Sequence, residues 1–123
     1  MLIEIEQRDQ VCILHCKGRL VAGPEMEYMQ IKMDEIKRVA CTKVVADFQE
    51  VTSIGSMGVA FVVGIYTSVV RRPGGRFVVA SVNPLVLHVL DLTRLSTVIP
   101  LAPDLAAGLA MLETELSTNA SAN

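Results

Sequence analysis

Residues 43–66, KVVADFQEVTSIGSMGVAFVVGIY, constrain the fold more than any other stretch of the chain. Lys43, Val44, Val45 and Ala46 open it as a short apolar, β-branched run ending at Asp47, the pattern of a buried strand. Phe48-Gln49-Glu50 leads into a turn rich in Thr, Ser and Gly, and a long apolar helical segment runs from Met57 to Val70. Gly55-Ser56-Met57-Gly58 forms the hinge between them. A serine just before an apolar helical run accepts a bond from a free N–H of the first turn, so Ser56 reads as the helix N-cap. A hydroxyl is thereby presented at the C-terminal end of a strand, the edge where open α/β sheets carry their function.

The rest of the chain extends the same alternation. Leu2, Ile3 and Ile5 alternate with Glu4 and Glu6 as a half-buried strand, and the polar run 7–10 turns into a second strand, Val11 to Lys17. Gly18 ends that strand, residues 18–23 connect, and Pro24 suits a helix start. Met26, Met29, Met33, Ile36 and Ala40 recur in steps of three and four, one face of an amphipathic helix whose wet side holds Glu25, Glu27, Lys32, Glu35 and Lys37. Its methionines read first as core filling and second as an adaptable binding surface. Arg71-Arg72-Pro73-Gly74-Gly75 stops the helix that began at the hinge. Phe77 to Ala80 is another buried strand, Asn83-Pro84 caps a short helix from Leu85 to Leu90, and Thr97-Val98-Ile99 is a last short strand. Asp104 caps a final helix with Leu105, Leu109, Leu112 and Leu116 on one face. Residues 1–116 are thus expected to form one domain and 117–123 a flexible C-terminal tail. The order β-β-α-β-α-β-α-β-α predicts an α/β fold: a mixed, mostly parallel sheet with an N-terminal antiparallel hairpin and four helices.

Composition narrows the function. A chain of 123 residues with 51% hydrophobic and 20% charged residues can bury a core and is not disordered. The net charge of -2 gives no footprint for nucleic acid or an anionic membrane. Arg71, Arg72 and Arg76 cluster where cations complement a helix dipole, a better reading than a phosphate-binding patch. The apolar run from Met57 to Val70 is interrupted by Gly58, Gly64, Thr67 and Ser68 and is too short to span a bilayer. Cys12, Cys16 and Cys41 make an odd count with no signal peptide, which fits buried thiols in a reducing cytoplasm. Cys12 and Cys16 share a strand face roughly 13 Å apart and cannot pair with each other.

No catalytic constellation assembles. There is no phosphate-binding loop of the GxxxxGK[ST] type, and Gly55-x-x-Gly58 alone is too weak for a dinucleotide loop. Ser56 lacks the Gly-x-Ser-x-Gly surroundings of a nucleophile elbow. His15 and His88 offer no zinc spacing, and Asp47 is a single carboxylate where acid/base work needs a pair. No enzyme activity, metal or cofactor is expected.

Four segments in order resemble the STAS domain, the fold of bacterial anti-sigma factor antagonists. Gly18-Arg19-Leu20 is similar to the family's Gly-x-Leu after the second strand. VVADFQEVTSIGSMGVAFV resembles its strand followed by Asp-Ser-x-Gly, Pro73 to Val79 its Gly-Gly before an apolar strand, and Val86 to Leu95 its short helix ending in Gly-Leu. Two positions depart from the pattern: Gly55 stands where the antagonists carry Asp, and Arg94 stands where Gly is usual.

The resemblance implies that Ser56 is a phosphorylation site. It implies a partner switch in which the unphosphorylated protein binds an anti-sigma factor that is itself a serine kinase, and a phosphatase later restores the free serine. Gly55, Met57 and Gly58, with Glu25 and Glu27 of the first helix, are the candidate partner-binding residues. Val59 reads as part of the buried first turn. A homodimer is one further partnership open to such a domain, while nucleic-acid binding and membrane insertion are not expected. Two alternatives stay open: a non-phosphorylated STAS assembly module of a larger signalling or transport complex, and a small-ligand domain using the loop after Asp47 and the helix N-terminus at Ser56.

Overall fold

The computed structural model describes residues 2–8, 10–20, 26–39 and 41–122, with side chains as far as Glu113. Strands β1 (Leu2–Arg8), β2 (Val11–Leu20), β3 (Lys43–Ile54), β4 (Arg76–Ala80) and β5 (Leu101–Ala102) form one sheet in the order β1-β2-β3-β4-β5. β1 and β2 pair antiparallel as the hairpin, and the remaining neighbours are parallel. Helices α1 (Met26–Val39), α2 (Ser56–Val70), α3 (Pro84–Leu92) and α4 (Leu105–Ala122) complete the alternation. The predicted α/β architecture is therefore the observed one.

Side-chain alternation along the strands builds a core on each face of the sheet. Leu14, Val44, Ala46, Phe48 and Val79 point to a large core shared with Met29, Met33 and Ile36 of α1, Phe61, Val62 and Ile65 of α2, and Val86 and Leu90 of α3. Ile13, Val45, Val78 and Ala80 point the other way and pack against Leu112 of α4. Asn83 caps α3 as expected, its side chain accepting from the Val86 N–H at 2.8 Å. Asp104 does the same for the Ala107 N–H at 2.7 Å, at the head of α4.

Several boundaries differ from the sequence reading, and for the longest strand a distant partner decides it. β3 does not stop at Asp47. It runs on to Ile54 because β2 also continues, with Lys17 opposite Glu50, Gly18 opposite Val51 and Leu20 opposite Ile54. Two register shifts interrupt this ladder, one beside Gly18, whose φ of 89 supplies the left-handed backbone a bulge can use. Gly18 is thus a bulge within β2 and not its end. The last strand lies at Leu101–Ala102, whereas Leu95–Thr97 winds into a 3-10 turn and Ile99 is buried by packing without strand pairing. α4 continues past Leu116 to Ala122, with no Gly or Pro after Gly108 to stop it.

Cys12 and Cys41 are joined by a disulfide, with their Cα atoms 6.0 Å apart, which corrects the expectation of three buried thiols. Cys16 alone is a free buried thiol, and burial, with Asp47 adding to it, pushes its pKa up to about 12. Arg72 also departs from expectation. Its guanidinium reaches across to α1 and donates to the carbonyls of Lys37 at 2.9 Å, Ile36 at 3.4 Å, and Cys41 beyond them. It therefore serves the C-terminus of α1 as well as ending α2.

Arg94 follows α3 with φ 63, the left-handed conformation that glycine adopts without steric penalty. Arg94→Gly is accordingly expected to stabilise the fold by about 0.5–1 kcal/mol, raising the melting temperature by roughly 2–4 °C in a thermal circular dichroism scan. A lower melting temperature for that variant would show that the arginine side chain makes a compensating contribution.

Candidate functional site

The hinge after β3 is pinned from three sides. Gly55, extended at φ -112 and ψ -169, donates its N–H to the Leu20 carbonyl at 2.8 Å, which ties the loop to the end of β2. Its own carbonyl accepts from the Val59 N–H at 2.9 Å, the first bond of α2. Asn83 holds the strand end from the α3 side, its amide donating to the Val51 carbonyl at 2.9 Å and the Thr52 carbonyl at 3.3 Å. The Asn-Pro pair revealed the cap in the sequence. The use of the other half of the same amide to anchor β3 could not be read there, because it joins residues far apart in the chain.

Ser56 is the first residue of α2 and not its cap; Gly55 occupies the N-cap position and brings no side-chain bond. The serine is exposed. α2 also has no acidic residue in its first turn, so no carboxylate of its own offsets the partial positive charge of the helix N-terminus. Gly58 is buried two residues on because α2 passes close to β2 and β3: a Cβ there would lie 2.6 Å from Ile54 Cγ1 and 2.8 Å from Leu20 Cβ. Met57 and Val59 are half-buried against the larger core.

Met57 faces a groove of about 130 Å³ between α1 and α2, which it lines with Met26, Met29, Gln30, Met33 and Phe61 among others. Met29 and Met33 are buried while Met26 is 47% exposed, so the methionine stripe fills the core and floors an open groove at once. The structure therefore brings Ser56, Met57 and one end of α1 into one region. Glu27 is exposed on α1 but does not line the groove, and Glu25 lies outside the described residues, as does Pro24.

Of the residues weighed for catalysis, His15 and Asp47 are engaged with each other and with Glu6. His15 Nε2 lies 2.8 Å from a Glu6 carboxylate oxygen and Nδ1 lies 3.6 Å from Asp47, bridging β1, β2 and β3 on the α4 side of the sheet. The His15 bond, with Arg8 assisting, holds the Glu6 carboxyl below its ordinary range. His88 is exposed on α3. Among the described residues no cluster of His, Cys, Asp or Glu could hold a metal ion, and no helix is long and apolar enough to cross a membrane.

Comparison with known proteins agrees with this architecture. An anti-sigma F factor antagonist from Paenibacillus polymyxa is 29% identical over 112 residues, spanning 90% of this chain and 94% of the relative. The crystal structure of an anti-sigma factor antagonist from Mycobacterium paratuberculosis superposes with a TM-score of 0.81 at 20% identity, covering 91% of this chain and 93% of that one. The anti-sigma factor antagonist SpoIIAA in its unphosphorylated form gives 0.65 at 17% identity, over 93% and 98% of the two chains. The STAS domain family model matches residues 3–108, with the β3–α2 hinge at its middle, and the chain belongs to the STAS domain family.

Proposed function

We propose that this chain is an anti-sigma factor antagonist that works by partner switching. With Ser56 unmodified it binds an anti-sigma factor that is itself a serine kinase; phosphorylation of Ser56 breaks the complex, and a phosphatase restores it. The kinase performs the chemistry. This chain is its substrate and a cytoplasmic binding module, not an enzyme, and needs no cofactor. The observation that carries the reading is an exposed serine at the head of α2, in the place where the family pattern has its serine. The likeness to a relative named for antagonism of an anti-sigma factor supports the class of partner.

The local physics suits such a switch. A phosphate would add about −1.5 to −2 charges at Ser56. At an N-terminus with free N–H groups and no acidic residue in its own first turn, that charge is accommodated by the helix, so the fold should survive it. At an interface the same charge brings repulsion and desolvation, and each 1.4 kcal/mol weakens binding about tenfold.

The test pairs Ser56→Asp with Ser56→Ala against the anti-sigma factor kinase of the same host. Ser56→Asp is expected to bind at least tenfold more weakly in calorimetry, with an unchanged circular dichroism spectrum and melting temperature. Ser56→Ala should retain binding and take up no phosphate. An unfolded Ser56→Asp protein would refute the account of the helix N-terminus. Equal affinities for the wild type and both variants would favour the second reading, a constitutive STAS assembly module. Gly55 is the observation on that side, since it offers neither a carboxylate for a kinase to read nor a side chain to cap α2.

A further inference from the structure

We propose that Cys12 and Cys41 form a reversible redox-modification site, whose oxidation state sets how firmly the junction between α1 and β3 is held. The two residues are separated by 29 positions in sequence and meet at the N-terminal edge of β2 and β3, at the opposite end of β3 from Ser56. Two observations make both states of the pair compatible with one fold, and a third fixes the product of oxidation.

First, both side chains lie in the large apolar core, Cys12 3% and Cys41 4% exposed, where free thiols pack as small hydrophobic groups. Second, the junction has a support that does not depend on the bond. Arg72 grips the carbonyls of Ile36, Lys37 and Cys41, and the Arg76 N–H donates to the Thr42 carbonyl at 2.7 Å. Third, the product of oxidation is unambiguous. The remaining thiol, Cys16, is roughly 13 Å along the strand from Cys12 by the rise per residue, and its raised pKa leaves it almost wholly protonated.

The reaction is thiol–disulfide exchange with a small-molecule disulfide such as glutathione disulfide. One cysteine thiolate attacks the reagent and expels one glutathione thiolate; the second attacks the mixed disulfide and expels the other. Two protein thiols become one cystine, and one glutathione disulfide becomes two glutathiones. Excess glutathione reverses both steps. Because the cysteines are buried, exchange proceeds through local opening of the residues around Cys41 and Thr42. In a reducing compartment such a bond would be transient and signal oxidative conditions. Its mechanical effect falls on α1, whose C-terminus it tethers and whose other end floors the groove beside Met57.

The test uses the full chain equilibrated with glutathione disulfide or with dithiothreitol. The oxidised form should be lighter by two hydrogens, show one free thiol after denaturation, and yield a Cys12–Cys41 cross-linked peptide. The reduced form should stay folded but melt lower by on the order of 10 °C, with faster amide exchange in residues 36–43. Cys41→Ser should match the reduced form under both conditions, whereas Cys16→Ser should keep the full shift. Three free thiols after oxidation, a cross-link to Cys16, or a reduced chain unfolded at room temperature would each overturn the proposal.

Discussion

Replacing Gly58 by alanine is expected to destabilise the fold by about 3–5 kcal/mol and to lower its melting temperature by roughly 12–20 °C. The added methyl group would lie 2.6 Å from Ile54 Cγ1 and 2.8 Å from Leu20 Cβ, and would press on the Leu20 carbonyl oxygen. None of these atoms can give way cheaply. Ile54 and Leu20 are buried at the ends of paired strands, and the Leu20 carbonyl accepts the Gly55 N–H bond that anchors the hinge. The clash therefore combines overpacking with the loss of that bond. Gly64→Ala in the same helix is the control. Its methyl would meet the terminal Cε of Met33 at 2.7 Å, the far end of a flexible side chain, and alanine favours the helix. Thermal unfolding of the two variants should differ by more than 10 °C, and equal melting temperatures would show that α2 does not depend on close approach at Gly58. If Ser56 binds a partner, Gly58→Ala should also weaken that binding, because it displaces the loop carrying the serine.

What could be read from the sequence was local. The caps at Asn83 and Asp104 each depend on a side chain reaching three residues ahead, and both form as the pattern required. The core stripe of α1 depends only on spacing, and Met29, Met33 and Ile36 are buried. Ser56 shows the limit even of local reading. Serine and glycine both suit an N-cap, and the helix starts one residue earlier than the hydroxyl suggested because the Gly55 carbonyl is already accepting from Val59.

What could not be read depends on pairing between remote residues. The extension of β3 through Val51 to Ile54 exists because β2 bulges at Gly18 and continues beside it, and no periodicity within residues 48–54 reports that. Asp47 looked like a strand end and is instead mid-strand opposite His15. Cys12 and Cys41 meet only because β2 and β3 run parallel with Val11 beside Lys43, a register that residue spacing along the chain does not encode. The candidate site divides in the same way. Its serine was singled out by the local strand–turn–helix pattern and by the family resemblance, while its anchors, the Leu20 carbonyl and the Asn83 amide, come from other elements.

Arg72→Ala is expected to cost about 2–4 kcal/mol, an effect out of proportion to a half-exposed arginine at the end of a helix. Surface arginines usually matter little because a mobile, hydrated charge loses as much in ordering as it gains in contact. Here one planar guanidinium satisfies the last carbonyls of α1 and the Cys41 carbonyl together, groups that the helix itself leaves without partners. Its positive charge also lies at the negative end of the α1 dipole. Arg72→Lys separates these contributions. An ammonium keeps the dipole interaction, worth about 0.3–1 kcal/mol, but cannot present the planar fork to three carbonyls. Lysine should therefore recover less than half of the loss seen with alanine when urea unfolding is measured. The experiment belongs in reductant, so that no covalent bond at Cys41 carries the load. Full recovery by lysine would reduce Arg72 to a point charge, and indifference to both substitutions would mean that the α1–β3 junction is held by its apolar packing alone.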